Sequence, residues 1–223
     1  MVSQERVQRF LQRRGARRLH VALLAEQADA ALAQQLRVQL GERWNARQII
    51  LRNGSPLSLD GLERVDFPRA STILLPAADA TASSMDADTR AVKTLMTLGA
   101  ALEDVPPKKL PLVVAELQDP NHSEILRALY GGPMEIIAGD EIFAGLMIQT
   151  IRHPGLSYVY AQFLSDSKSS QIYVRREPGL TGISVQQLTH AFDEGVLLGV
   201  VRPRGEGFEA LLNPPDEPRL PLV

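Results

Sequence analysis

Carboxylates are the residues of this chain best suited to chemistry. Glu26 closes a short apolar run, Leu19 to Ala25, at the point where a dinucleotide-binding sheet presents the acid that holds ribose hydroxyls. Gly54 and Asp79 also follow apolar runs, on the rim where ligands of open α/β sheets bind. Asp86 and Asp88, with Asp79 and Glu116, offer the hard oxygen ligands that calcium takes. EF-hand spacing is absent, and helix capping accounts for Asp86 and Asp88 more simply. A solvated strand end for Glu26, turn chemistry for Gly54 and plain solvation for Asp79 are the competing readings.

Catalytic patterns are lacking. His20, His122, His153 and His190 show neither H-x-x-x-H nor H-E-x-x-H spacing, so capping and surface roles are expected for them rather than metal binding. Ser83, Ser84, Ser169 and Ser170 belong to no G-x-S-x-G elbow. The adjacent pair Asp140 and Glu141 fits the start of a helix, where the positive end of the dipole favours acids. The chain has no cysteine, which removes disulfides, zinc-thiolate sites and thiol catalysis. No enzyme is expected.

The elements that position these residues follow from pattern. A chain of 223 residues, 44% hydrophobic, can bury a full core as one large domain, or one medium and one small. Its formal charge of -2 gives no reason to expect nucleic acid or an anionic membrane. It has no run of about eighteen apolar residues to span a bilayer, and a polar, arginine-rich start rather than a signal peptide. Residues 3 to 14 carry Val7, Phe10 and Leu11 at helical spacing. Apolar runs at 19–25, 48–52, 71–76, 110–117 and 134–138 read as strands, and 30–40, 58–65, 86–102 and 121–130 as helices, the last capped by Asn121. Serial β-α units with short connections predict a parallel sheet with helices on both faces, a Rossmann-like α/β fold.

Residues 140 to 164 then repeat Ile142, Phe143, Leu146, Met147 and Ile151 at helical spacing. His153-Pro154-Gly155 interrupts, and Leu156, Val159, Tyr160 and Phe163 resume the period. Proline and glycine there predict a helix, a tight turn and a second helix. Beyond it, strands at 171–174, 196–201 and 210–213, with a helix at 184–191, predict a small β-rich lobe. The expected organisation is a Rossmann-like lobe over 1–139, a helix-turn-helix crossover over 140–165 and a small C-terminal lobe over 166–223.

Such a sheet ordinarily opens on a strand and a G-x-G-x-x-G turn that cradles a pyrophosphate. Here the chain opens on the helix that would follow that turn, so a fragment or a degenerate start is expected. The proline-rich 214–223 likewise stops short of a closing strand.

Four segments carry a family resemblance. They are Arg52-Asn53-Gly54-Ser55-Pro56 with Leu59 to Val65, Asp86 to Leu95, Val113 to Asn121, and Ile172-Tyr173-Val174 with Gly182 and Leu212-Asn213-Pro214. In order and spacing they resemble the regulator-of-potassium-conductance domain, and more closely the Castor and Pollux ion channels and their prokaryotic relatives. The resemblance implies a domain on the cytoplasmic face of a tetrameric cation channel, with a pore domain in the same chain. Copies would pair into a ring whose shape change moves the pore helices. It also implies regulation by calcium or a nucleotide, and pairing through the helix-turn-helix. Ile142, Phe143, Leu146 and Tyr160 are the expected contacts, with an intramolecular core as the competing reading. The lack of pore helices and a selectivity filter, of the first strand with its glycine turn, and of the usual Gly-Asp turn and last strand are departures from the pattern that a truncated chain explains. The alternative is an NAD(P)-binding oxidoreductase-like protein with a degenerate cofactor site.

Overall fold

Short apolar runs bounded by turn residues form the strands. The computed structural model describes residues 20–77, 84–164, 172–174, 196–204 and 207–213. Strand β1 (Val21–Ala25) lies parallel to β2 (Ile49–Asn53), with Val21 opposite Ile49 and Ala25 opposite Asn53. Helix α1 (Ala30–Leu40) connects them. The Asp29 carboxylate starts it by accepting from the Leu32 amide at 2.8 Å, and Gly41 stops it at a φ of +53°, a backbone angle that only glycine adopts without strain. Helix α2 (Leu59–Glu63) follows β2, capped by Ser58, whose hydroxyl accepts from the Gly61 amide.

Strands β3 (Thr72–Leu75), β4 (Leu112–Leu117) and β5 (Met134–Ala138) form a second parallel sheet in that order. Ile73, Val113 and Met134 are in register, as are Leu75, Ala115 and Ile136. Side chains alternate across a strand, so this row faces one way. Val113, Ala115 and Leu117 are completely buried there. The long helix α3 (Ser84–Ala101) supplies Leu95 and Leu98 to the same core, and α4 (Ser123–Leu129) supplies Leu126. Each fully buried leucine contributes about 2 kcal/mol relative to exposure. Tyr130 joins the core ring-first and donates its hydroxyl to the Pro111 carbonyl at 2.6 Å.

The fold is Rossmann-like α/β, with three differences from the sequence expectation. The described strands make two parallel sheets, β2-β1 and β3-β4-β5, rather than one continuous sheet. Asn121 does not cap the helix before Tyr130. A 3-10 turn, Pro120–His122, comes first, and it is the Asp119 carboxylate that accepts the Asn121 amide. Proline and a short Asp side chain favour that tight turn locally over a capped α start. Residues 172–174, expected as strand, have no regular structure.

Helix α5 (Gly139–Arg152) runs into the expected turn, where Gly155 takes a φ of +96°, and α6 (Leu156–Leu164) follows. Asp140 and Glu141 occupy the first turn of α5 and Arg152 its last, as the helix dipole favours. The chain falls into two compact units, 1–159 and 160–223. The second contains an antiparallel hairpin of β6 (Gly199–Arg204) and β7 (Gly207–Leu212), tied by Arg202 to Glu209 at 2.9 Å. The expected helix at 184–191 lies outside the described residues.

Candidate functional site

The N-terminal turns of α3 organise a polar rim at the C-terminal ends of the strands. From α3, Arg90 reaches the Glu26 carboxylate after β1 at 3.0 Å. Ser55, after β2, donates to the same oxygen at 2.8 Å. Two residues earlier on α3, buried Asp88 turns the other way. It accepts the amides of Gln118 and Asp119, just after β4, at 2.9 and 3.0 Å, and its carboxylate lies 2.8 Å from the His122 imidazole. One helix thereby gathers the ends of both sheets. The Glu116 carboxylate adds a link by accepting the Ala77 amide at 3.0 Å.

The charges behave accordingly. The Ser55 hydroxyl, then the Arg90 guanidinium, hold Glu26 below its ordinary value of 4.5. For Asp88, burial pushes the pKa up, but the Gln118 amide, His122 and the Asp119 amide together outweigh it. The net shift is below the ordinary 3.8. Asp88 is therefore an anion held inside the protein by backbone donors.

Sequence-predicted residues separate on this frame. Glu26 is on the rim, but Ser55 and Arg90 occupy it, so a ribose hydroxyl would compete with both. Gly54 is needed for space rather than for a left-handed turn. A Cβ there would meet Leu24 Cδ1 at 3.0 Å and the Gly61 Cα at 3.1 Å. Asp88 does not start its own helix, as sequence reasoning expected, because α3 begins four residues earlier at Ser84; its carboxylate accepts the Gln118 and Asp119 amides instead. Asp79 and the Asp86 side chain lie outside the described residues. Among the described residues no group of three acids or histidines could hold a metal ion.

Ser55, Arg90 and His122 were not foreseen as partners. They stand 29, 64 and 34 positions from the carboxylates they meet, and no local spacing signals such pairs. Ser55 donates to the Glu26 carboxylate, so its hydroxyl braces that acid.

The second feature is the surface of α5. Phe143 is 67% exposed, Met147 66% and Ile151 79%, with Ile142 and Ile148 also exposed. Leu146 is half-buried. Ile142 and Phe143 are therefore not among the buried core residues of the first unit. Tyr160, in α6, is half-buried.

The described residues thus form a Rossmann-like unit with a braced polar rim and an exposed apolar row on α5. A family profile described as "Castor and Pollux, part of voltage-gated ion channel" matches residues 140–221. Over 168 residues, 75% of this chain, the sequence is 29% identical to the Ion channel CASTOR of Lotus japonicus and 28% identical to the Ion channel POLLUX of the same plant. It is 27% identical to the Ion channel DMI1 of Medicago truncatula over the same share. Residues 140–221 are thus similar to a Castor/Pollux segment, and most of the chain is similar to part of ion channels of that type. It spans about a fifth of the length of these relatives, 19%, 17% and 18% respectively. Among the described residues no helix is long and apolar enough to cross a membrane.

Proposed function

We propose that this chain is a regulatory, self-associating domain of a Castor/Pollux-type cation channel, with the exposed face of α5 as the contact between copies. The observation that carries this reading is the row Ile142, Phe143, Met147 and Ile151, large apolar side chains left facing water along one helix. Contiguous apolar surface of this kind marks an interaction site. The similarity to proteins named as ion channels, not as enzymes, supports the same reading. The channel conducts potassium, the domain lies on its cytoplasmic face, and Tyr160 contributes to pairing. A ligand at the strand rim, calcium or a nucleotide, biases the pore only by its difference in affinity for two arrangements of the paired domains.

Phe143→Asp tests the contact. A charge at an exposed position changes fold stability little, so the variant should keep its far-UV spectrum and melting temperature. In sedimentation velocity its dimer should dissociate by at least about tenfold in Kd, or about 1.4 kcal/mol. A variant that sediments as the parent overturns the α5 contact.

A further inference from the structure

The end of β2 carries a peptide bond with a chemistry of its own. Of the chain's four asparagines, Asn45, Asn53, Asn121 and Asn213, only Asn53 precedes a glycine. The backbone nitrogen after an asparagine can attack the side-chain amide carbon and close a five-membered succinimide ring. Glycine at that position has no Cβ to obstruct the approach. Alanine, histidine and proline follow the other three asparagines. The first two add a side chain, and proline has no amide proton to release.

Asn53 is exposed, so what restrains the reaction is its backbone. It is the last residue of β2, in register with Ala25 of β1. Strand geometry keeps it extended, and ring closure requires ψ to rotate out of that range. The Gly54 amide, which is the nucleophile, donates to the Ala25 carbonyl at 3.0 Å. At the other side of the same peptide bond, the Asn53 carbonyl accepts from the Arg64 guanidinium at 3.0 Å. Two hydrogen bonds therefore pin one peptide plane. Glycine is required there for packing, because a Cβ at position 54 would meet Leu24 Cδ1 at 3.0 Å and the Gly61 Cα at 3.1 Å. The close approach that demands glycine is also what keeps the labile pair together.

We propose that Asn53 is a deamidation site latched by these two hydrogen bonds, and that it converts when the end of the β1-β2 ladder opens. The Gly54 nitrogen bonds to Asn53 Cγ, the Cγ–Nδ2 bond breaks, and ammonia leaves with the proton that the Gly54 amide gives up. Water then adds to one of the two ring carbonyls and the carbon–nitrogen bond there breaks, which yields aspartate or isoaspartate. Either product puts a new carboxylate at position 53. The isoaspartyl link also runs the chain through one extra carbon, so Gly54 and Ser55 lose their register with Ala25 and Glu26. Ser55 then leaves the carboxylate that it braces. This inference is independent of the α5 contact.

The test incubates the whole chain in mildly alkaline buffer, folded and in urea, and follows the mass of the tryptic peptide that begins at Asn53. Deamidation adds one dalton, whereas isomerisation at Asp60-Gly61 in the same peptide adds nothing. Conversion in urea should exceed that of the folded chain by at least about tenfold. Arg64→Ala frees the Asn53 carbonyl, so it should raise the folded rate by at least about threefold and leave the urea rate unchanged. The comparison of folded and urea-unfolded parent needs no variant, so it decides the matter even where Arg64→Ala fails to fold. In the separated isoaspartyl fraction the Gly54 amide should exchange at least about tenfold faster than in the parent. Equal rates folded and in urea, no conversion in urea, or a folded Arg64→Ala that converts no faster than the parent overturns the latch. Unchanged Gly54 exchange in the isoaspartyl fraction overturns the loss of register.

Discussion

Asp88 shows at residue scale how a single anion can join two parts of a fold. It is 2% exposed yet charged, because two amides and an imidazole replace the water it has lost. Removing it in Asp88→Ala leaves the Gln118 and Asp119 amides without their acceptor. Unsatisfied buried donors cost about 1–3 kcal/mol each, so a loss of about 2–4 kcal/mol is expected in urea denaturation. The pH dependence has a definite sign. The folded pKa lies below the ordinary 3.8, so the contribution is full above that value and is lost as pH falls through the folded pKa. Asp88→Asn should therefore flatten the acid limb of stability below about pH 4, and an unchanged limb would show that Asp88 is not its source. Glu26 differs in being on the surface, where water screens its links to Ser55 and Arg90.

At the scale of elements, contact between helices depends on where a side chain is missing. A Cβ at Gly99 in α3 would run into the Leu129 carbonyl oxygen at the end of α4, while at Gly145 in α5 it would meet nothing. Alanine gains about 1 kcal/mol over glycine in a helix interior. At Gly99 that gain is outweighed, because a backbone carbonyl cannot swing aside as a side chain can. Gly99→Ala is expected to destabilise by about 1–3 kcal/mol, whereas Gly145→Ala should stabilise by about 0.5–1 kcal/mol. Opposite signs in thermal denaturation would confirm the α3–α4 approach, and two stabilising changes would refute it. The exposed row on α5 belongs to the same scale. Its period is regular and its dipole is complemented at both ends, so the helix needs no covering neighbour to be defined, only to bury its face.

For the whole molecule, stability in the first unit rests on one core between α3, α4 and the β3-β4-β5 sheet. Leu98→Ala, at a completely buried position, should cost about 3 kcal/mol and lower the melting temperature by about 6–12 °C. Val38→Ala, on the exposed side of α1, should stay within about 0.5 kcal/mol of the parent. Equal losses at the two positions would place the core elsewhere. The pairing of the described strands into two parallel sheets belongs to this scale too, because a strand's own residues do not name its partners.

The sequence by itself determined the class of fold, the strands at 49–53, 72–75, 112–117 and 134–138 to within two residues, and the helix, turn and helix after 139. Each is specified by local periods and by Pro154 and Gly155, whose backbone demands act within a few residues. The polar rim was legible only as isolated carboxylates. Only the tertiary structure brought Ser55 and Arg90 to Glu26, or turned Asp88 away from its own helix to the amides after β4. Those pairings span 29 to 64 residues and arise from how α3 lies across the strand ends, which no local pattern encodes. Exposure of Phe143 and Ile142 was decided in the same way. An apolar helical stripe reads alike whether it faces a core or a second molecule, and only packing tells the two apart.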